Sequence, residues 1–132
     1  MTQDEARDRI VDYWLRKAGG ALQSAQSEAQ AGRLDFAVNR AYYACFYAAS
    51  AVLLRMGKKF VKHSGLRAAV HQDLVKAGKL DVKWGKAFDR IFENRQSADY
   101  VELWEFETDQ VEEIVRDAER FVQEIRRLLA EA

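Results

Sequence analysis

Residues Asp35–Gly57 read DFAVNRAYYACFYAASAVLLRMG, and this stretch decides the fold. It has no Pro and no interior Gly, it is rich in Ala, and Arg55 lies in its last turn. An Asp at the start and a Gly at the end punctuate a helix. A short carboxylate satisfies the orphan N–H groups of the first turn, and Gly reaches the left-handed conformation that closes the last. From Tyr42 to Leu54 nearly every face is apolar or aromatic, so neighbouring elements must surround this helix. The apolar run is shorter than the ~20 residues that a membrane-crossing helix needs. The sequence therefore predicts the central helix of a soluble bundle, with no membrane association.

The flanking segments supply the neighbours. A first helix is expected from about Asp4 to Gln30, because Ile10, Tyr13, Trp14, Ala18, Ala21, Leu22 and Ala25 recur at three- and four-residue steps. Gly19-Gly20 interrupts that stripe, weakens it by ~1 kcal/mol per Gly, and suggests a kink or a close helix crossing. The short link GRLD after it favours an antiparallel hairpin with the central helix. Beyond Met56 the chain is irregular through GKKFVKHSG. Ser64 is then expected to cap a short third helix, with Leu66, Val70 and Leu74 on one side and Gly78 closing it. Asp81 caps a fourth helix with Trp84, Phe88, Ile91 and Phe92 as its core stripe. A connector, VELWEFE, follows, and its Val101, Leu103, Trp104 and Phe106 predict packing on the bundle. Thr108 opens the last helix, whose Val111, Ile114, Val115, Ala118, Phe121, Val122, Ile125, Leu128 and Leu129 form the cleanest amphipathic pattern. The expected fold is all-α: four main helices plus one short one in a single domain, residues 1–132.

Composition agrees. A chain of 132 residues, 48% hydrophobic and 32% charged, buries a core without disulfides or metal. The lone Cys45 reads as a small buried hydrophobe and fits a reducing, cytoplasmic setting. The polar N-terminus MTQDEARDR lacks the apolar run of a signal peptide. The net charge of zero hides a separation: nine Lys/Arg against two acids from Arg55 to Lys86, then eight acids against Arg95 from Glu93 to Glu113. This reads either as a basic surface for phosphates beside an acidic one, or as two solvated faces.

No P-loop, dinucleotide fingerprint, HExxH or Cys-based metal spacing occurs, so neither metal nor cofactor is expected. His63 and His71, eight residues apart, would stand ~12 Å apart along a helix and could not share a metal. The informative stretch is ENRQSADY, residues 93–100. Arg95 follows Phe92 by three and Asp99 follows Arg95 by four, so both continue the inner stripe of the fourth helix. Charges aimed inward are unfavourable unless paired or functional. A structural Arg95–Asp99 pair is one reading, although Arg before Asp is the poorer order for it. On the central helix Asn39, Tyr43 and Tyr47 stack at spacing four, with Arg40 and Tyr42 beside them, as core or as site.

NRAYYACFYAASAVL, then KHSGLRAAV, then ENRQSADY, then an acidic amphipathic final helix: in that order these blocks resemble HEPN domains. More narrowly, they are similar to small stand-alone prokaryotic HEPN proteins. The likeness covers Leu34 to the C-terminus, and the first helix is compatible with it. It implies an up-and-down bundle that forms homodimers, with a polar site near the dimer seam. Members are often encoded with a minimal nucleotidyltransferase and act as toxin partners. Many are metal-independent ribonucleases that use an Arg, four to six intervening residues, then His. Here the arginine is Arg95, but Tyr100, Val101 and Glu102 occupy the histidine positions. Tyrosine, with a pKa of about 10, is a poor base where histidine, at about 6.5, is suited to the task.

The leading expectation is a dimeric protein binding RNA or nucleotide phosphates beside a nucleotidyltransferase partner. Arg95 would hold phosphate with Asp99 orienting it, while Tyr100, Asn39, Arg40 and Tyr43 shape the pocket. The alternatives are a weak metal-independent ribonuclease using Arg95 with Tyr100 or His63, and a non-enzymatic scaffold in which the polar cluster fixes packing and dimer register.

Overall fold

Helix α2 (Leu34–Arg55) is buried as its composition dictates: eleven of its residues face the core, six of them alanines whose small side chains let other helices approach closely. Around it stand α1 (Gln3–Gln30), α3 (His63–Ala69), α4 (Val82–Tyr100) and α5 (Thr108–Glu131), all in contact with it. This up-and-down, all-α arrangement is that of a computed structural model, which describes residues 1–131. No helix among the described residues is long and apolar enough to cross a membrane.

The core follows the stripes. Phe88, Ile91 and Phe92 from α4 meet Val111, Ile114, Val115, Ala118, Phe121, Val122 and Ile125 from α5, and Tyr42, Val38 and Leu53 from α2. Trp84 is only partly buried at the edge of this cluster. Cys45 is completely buried, and burial, with Asp117 adding to it, pushes its thiol far above the ordinary range.

Several local expectations are corrected. Helix α1 runs unbroken through Gly19-Gly20. A Cβ at Gly19 would meet only the Arg126 guanidinium at 3.6 Å, and one at Gly20 nothing, so the pair marks neither kink nor crossing. Arg126 donates instead to the Leu15 carbonyl, 3.1 Å away. Asp35 does not cap α2. Arg33 holds the cap position without a side-chain bond, and Asp35 sits in the first turn, where the helix dipole favours a carboxylate. Gly57 does close α2, at φ 82°. Lys62, not Ser64, occupies the cap of α3, which makes His63 its first residue. The third segment is only half α-helical: Val70–Val75 widens into a π-turn, with Lys76 N–H bonded to the His71 carbonyl at 2.9 Å. This turn lies on Gly85 of α4, where any Cβ would come within 2.9 Å of Val75 Cγ2. Asp81 caps α4 as expected, accepting from Lys83 N at 2.9 Å. The connector does not pack as predicted. Phe106 settles on the core, whereas Val101 and Trp104 are about half exposed and Leu103 is 99% exposed at a positive φ of 61°.

Candidate functional site

The fourth helix delivers Arg95 to the aromatic face of α2. Its side chain is 13% exposed. The guanidinium carbon lies 5.2 Å from the Tyr42 ring centre and 5.4 Å from that of Tyr43, and Nη2 donates to Tyr43 Oη at 3.3 Å. Asp99, one turn on, places Oδ2 2.9 Å from Nε. The Nε–H does not point at that oxygen, so this nearly buried donor has charge compensation but no hydrogen bond. Nε is too deep to meet a ligand, and Nη1 is the guanidinium nitrogen left without a protein partner among the described residues, open to a carboxylate or phosphate oxygen. The i, i+4 pair expected from the sequence forms, and it does not saturate the arginine.

His63 joins the same cluster, which sequence reasoning could offer only as an alternative. As the first residue of α3 it lies with its ring 4.6 Å from Phe46, 5.6 Å from Tyr42 and 5.9 Å from Tyr43. Its Nδ1 is 2.7 Å from Tyr42 Oη. Burial, then the neighbouring Arg95 charge, holds the imidazole below its ordinary pKa of 6.5, so it is neutral at pH 7. Tyr42 is fully buried, and burial pushes its hydroxyl well above the tyrosine range despite the opposing pull of Arg95. It therefore keeps its proton. Among the described residues, Nδ1 is the only hydrogen-bond partner of that hydroxyl. The buried O–H donates to Nδ1, and the ring hydrogen of neutral His63 sits on Nε2. In this tautomer His63 is a donor at Nε2, not a base.

Arg40 approaches Tyr43 from along α2, with its guanidinium carbon 5.3 Å from the ring centre. Asn39 steadies it by accepting at Oδ1 from Nη2 at 2.8 Å and from Nε at 3.2 Å. Asn39, Arg40, Tyr43, Arg95, Asp99 and His63 thus form one connected neighbourhood. Tyr100 stands apart. It ends α4 at 73% exposure, and no hydrogen bond or ring contact joins it to Arg95 among the described residues.

The second histidine belongs to a different group. His71 Nε2 lies 2.9 Å from Asp89 Oδ1, an atom that also accepts from Arg67 Nε at 2.8 Å. Arg67 reaches on to Glu93 at 3.2 Å and lies 4.5 Å over the Phe92 ring. Burial works to raise the Asp89 carboxyl, but the hydrogen bonds from His71 and Arg67 outweigh it and hold the carboxyl below its ordinary range. Every charge here has its partner, so the group ties α3 to α4. No cluster of three His, Cys, Asp or Glu side chains placed to hold a metal lies among the described residues.

The sequence that builds this bundle matches a known family. The HEPN domain matches residues 11–128, and the chain belongs to that family. A UPF0332 protein of Thermotoga maritima is 44% identical over 123 residues, 93% of either chain. Two proteins of Methanocaldococcus jannaschii carry toxin names. "Putative toxin MJ0142" is 27% identical over 92% of this chain and 82% of its own, and "Putative toxin MJ0605" is 34% identical over 72% and 70%.

Proposed function

We propose that this chain, residues 1–132 acting as one domain, is a toxin-type HEPN protein whose Arg95 site binds the phosphate groups of RNA or a nucleotide. The observation that carries the reading is Arg95 itself: nearly buried, neutralised by Asp99, bonded to Tyr43 through Nη2, and with Nη1 left without a protein partner among the described residues. A nearly buried guanidinium with donors to spare is worth its desolvation when an anion completes it. Arg40, held by Asn39 against Tyr43, adds a second cation to the same neighbourhood. The protein works as a homodimer in the cytoplasm with a nucleotidyltransferase partner. The exposed Tyr100, Val101, Leu103 and Trp104 supply an apolar patch for the second copy. The names of the two archaeal relatives support the toxin role.

A metal-independent ribonuclease is the second reading, favoured by His63 lying in the Arg95 cluster. It requires the ring proton to sit on Nδ1 so that Nε2 is free to accept one, which donation from Tyr42 to Nδ1 opposes, so cleavage is slow next to binding.

The test is Arg95→Ala. RNA binding at fixed salt is expected to fall below detection while thermal unfolding stays close to the parent. Binding that survives alongside a loss of several kcal/mol of stability would assign Arg95 to a scaffold role instead.

A further inference from the structure

The rings of Tyr42 and Tyr43 do not end the aromatic surface. Tyr43 lies 5.8 Å from Tyr47, Tyr47 stacks on Trp14 of α1 at 5.5 Å with 25° between planes, and Trp14 lies 5.5 Å from Tyr13. None of these four is buried, and Tyr13 is 45% exposed. The run thus leads from the Arg95 site across the α2–α1 seam to open solvent. Cations accompany it throughout. Arg95 and Arg40 lie against Tyr43, and Lys17 Nζ sits 4.7 Å from the Tyr47 ring centre, 5.6 Å from Trp14 and 5.5 Å from Tyr13. Neither Lys17 nor Arg40 has a carboxylate partner among the described residues, and Asp99 is committed to Arg95. Past Trp14 opens a cleft of about 150 Å³ walled by Ile10, Phe46, Leu54 and Phe60, with Lys59 beside it.

Rings at steps of 5.5–5.8 Å, interleaved with unpaired cations, fit a polymer that alternates flat bases with phosphates. We propose that Tyr47, Trp14 and Tyr13, with Lys17, form a stacking track that holds single-stranded RNA leading away from the Arg95 phosphate site. This rests on the reading of Arg95 as a phosphate site and extends it to the class of strand. Splayed bases stack on aromatic side chains, whereas a duplex hides its base faces. A base entering takes the place of the Lys17 ammonium over the rings, and the flexible lysine stem swings to the adjoining phosphate. Contact between two copies of this chain is the competing use of the face. A two-fold interface sets a patch against itself, which here brings Lys17 and Arg40 towards like charges.

The test measures fluorescence anisotropy of a labelled oligo(U) of about six nucleotides, within the usual site-size range, and of an RNA duplex, at fixed salt. The parent is expected to prefer the single strand. Trp14→Ala and Tyr47→Ala should each weaken it by about 5- to 150-fold, the equivalent of ~1–3 kcal/mol per stacked base. Trp14→Phe should retain most of the affinity, and Lys17→Ala should flatten the salt slope by about 0.7. Tyr13→Ala, on an exposed side chain, should weaken binding while melting like the parent, which separates the effect from misfolding. With Trp84 and Trp104 replaced by Phe, saturating RNA should quench the remaining Trp14 emission; unchanged emission would refute the track. If Arg95→Ala loses binding while Trp14→Ala and Tyr47→Ala stay within about twofold, the track is wrong and the phosphate site stands. If the parent binds neither strand, the phosphate site falls and the track with it. If Trp14→Ala turns a dimer into a monomer with RNA affinity unchanged, the face is a self-contact and the proposal is overturned.

Discussion

The two histidines lie two turns apart in sequence and live in opposite electrical settings. His71 shares Asp89 Oδ1 with Arg67 in a group where each cation meets a carboxylate. His63 meets a buried tyrosine hydroxyl and the field of Arg95, with no carboxylate bonded to it among the described residues. The first arrangement is complete by itself and joins two helices. The second is incomplete, because its N–H groups outnumber its acceptors, and an anion is what would complete it. The same residue type thus marks a tie in one place and, on the proposed reading, an anion site in the other, and only the partners tell them apart.

The difference can be broken on its structural side first. Asp89→Ala leaves Arg67 and His71 without their shared acceptor. Charge-assisted bonds are worth more than neutral ones, but the group is about a third exposed, so the loss should be about 1–2 kcal/mol. A melting point lowered by several degrees, with RNA affinity unchanged within about twofold, is the expected result. A parallel loss of binding would mean that the two groups are one site.

Tyr42→Phe tests the other side. It removes a single buried hydroxyl and leaves Nδ1 of His63 unpaired, at about 1 kcal/mol of stability. It also frees the imidazole tautomer, so RNA binding should weaken a few-fold, read by the same anisotropy assay. An increase in cleavage in this variant would identify His63 as a base that Tyr42 holds back.

The smallest effect is in pH dependence. His63 has a folded pKa below its ordinary 6.5, so the unfolded chain binds more protons between the two values. Stability is present above 6.5 and declines as pH falls through the folded pKa. Asp89 is likewise depressed, from 3.8, and its contribution is lost only at still lower pH. Melting curves collected on the acid side should show two successive losses. His63→Gln should remove the one nearer neutrality, and Asp89→Asn the other.

How much of this was legible in the sequence depends on whether local spacing or chain return set the answer. The apolar runs of α2, α4 and α5, the Asp81 cap and the closing glycines Gly57 and Gly78 are local, and they stand where spacing put them. The inward position of Arg95 was likewise readable from its distance to Phe92, as was the Arg95–Asp99 pair. The Tyr42–His63 bond joins residues 21 apart across an irregular loop, and no periodicity reports where such a loop returns. Asp89 as shared acceptor of Arg67 and His71 was hidden for the same reason. The π-turn at Val70–Val75 was missed because Leu66, Val70 and Leu74 suit an α-helix equally well; its trace in the sequence is Gly85, a distant residue. The connector failed differently. Val101, Leu103 and Trp104 are apolar, and hydrophobicity alone predicts burial without saying whether the same chain provides it.

Cys45 has a practical consequence. Its sulfur is sealed in the middle of α2, and burial keeps it in the unreactive thiol form. Nothing in solution can reach it while α1, α4 and α5 are closed around that helix. The rate at which an alkylating reagent modifies this one atom is therefore a clock for opening of the whole bundle. A single mass measurement per time point would follow that opening in any of the variants above, with no label to attach and no second cysteine to confuse the count.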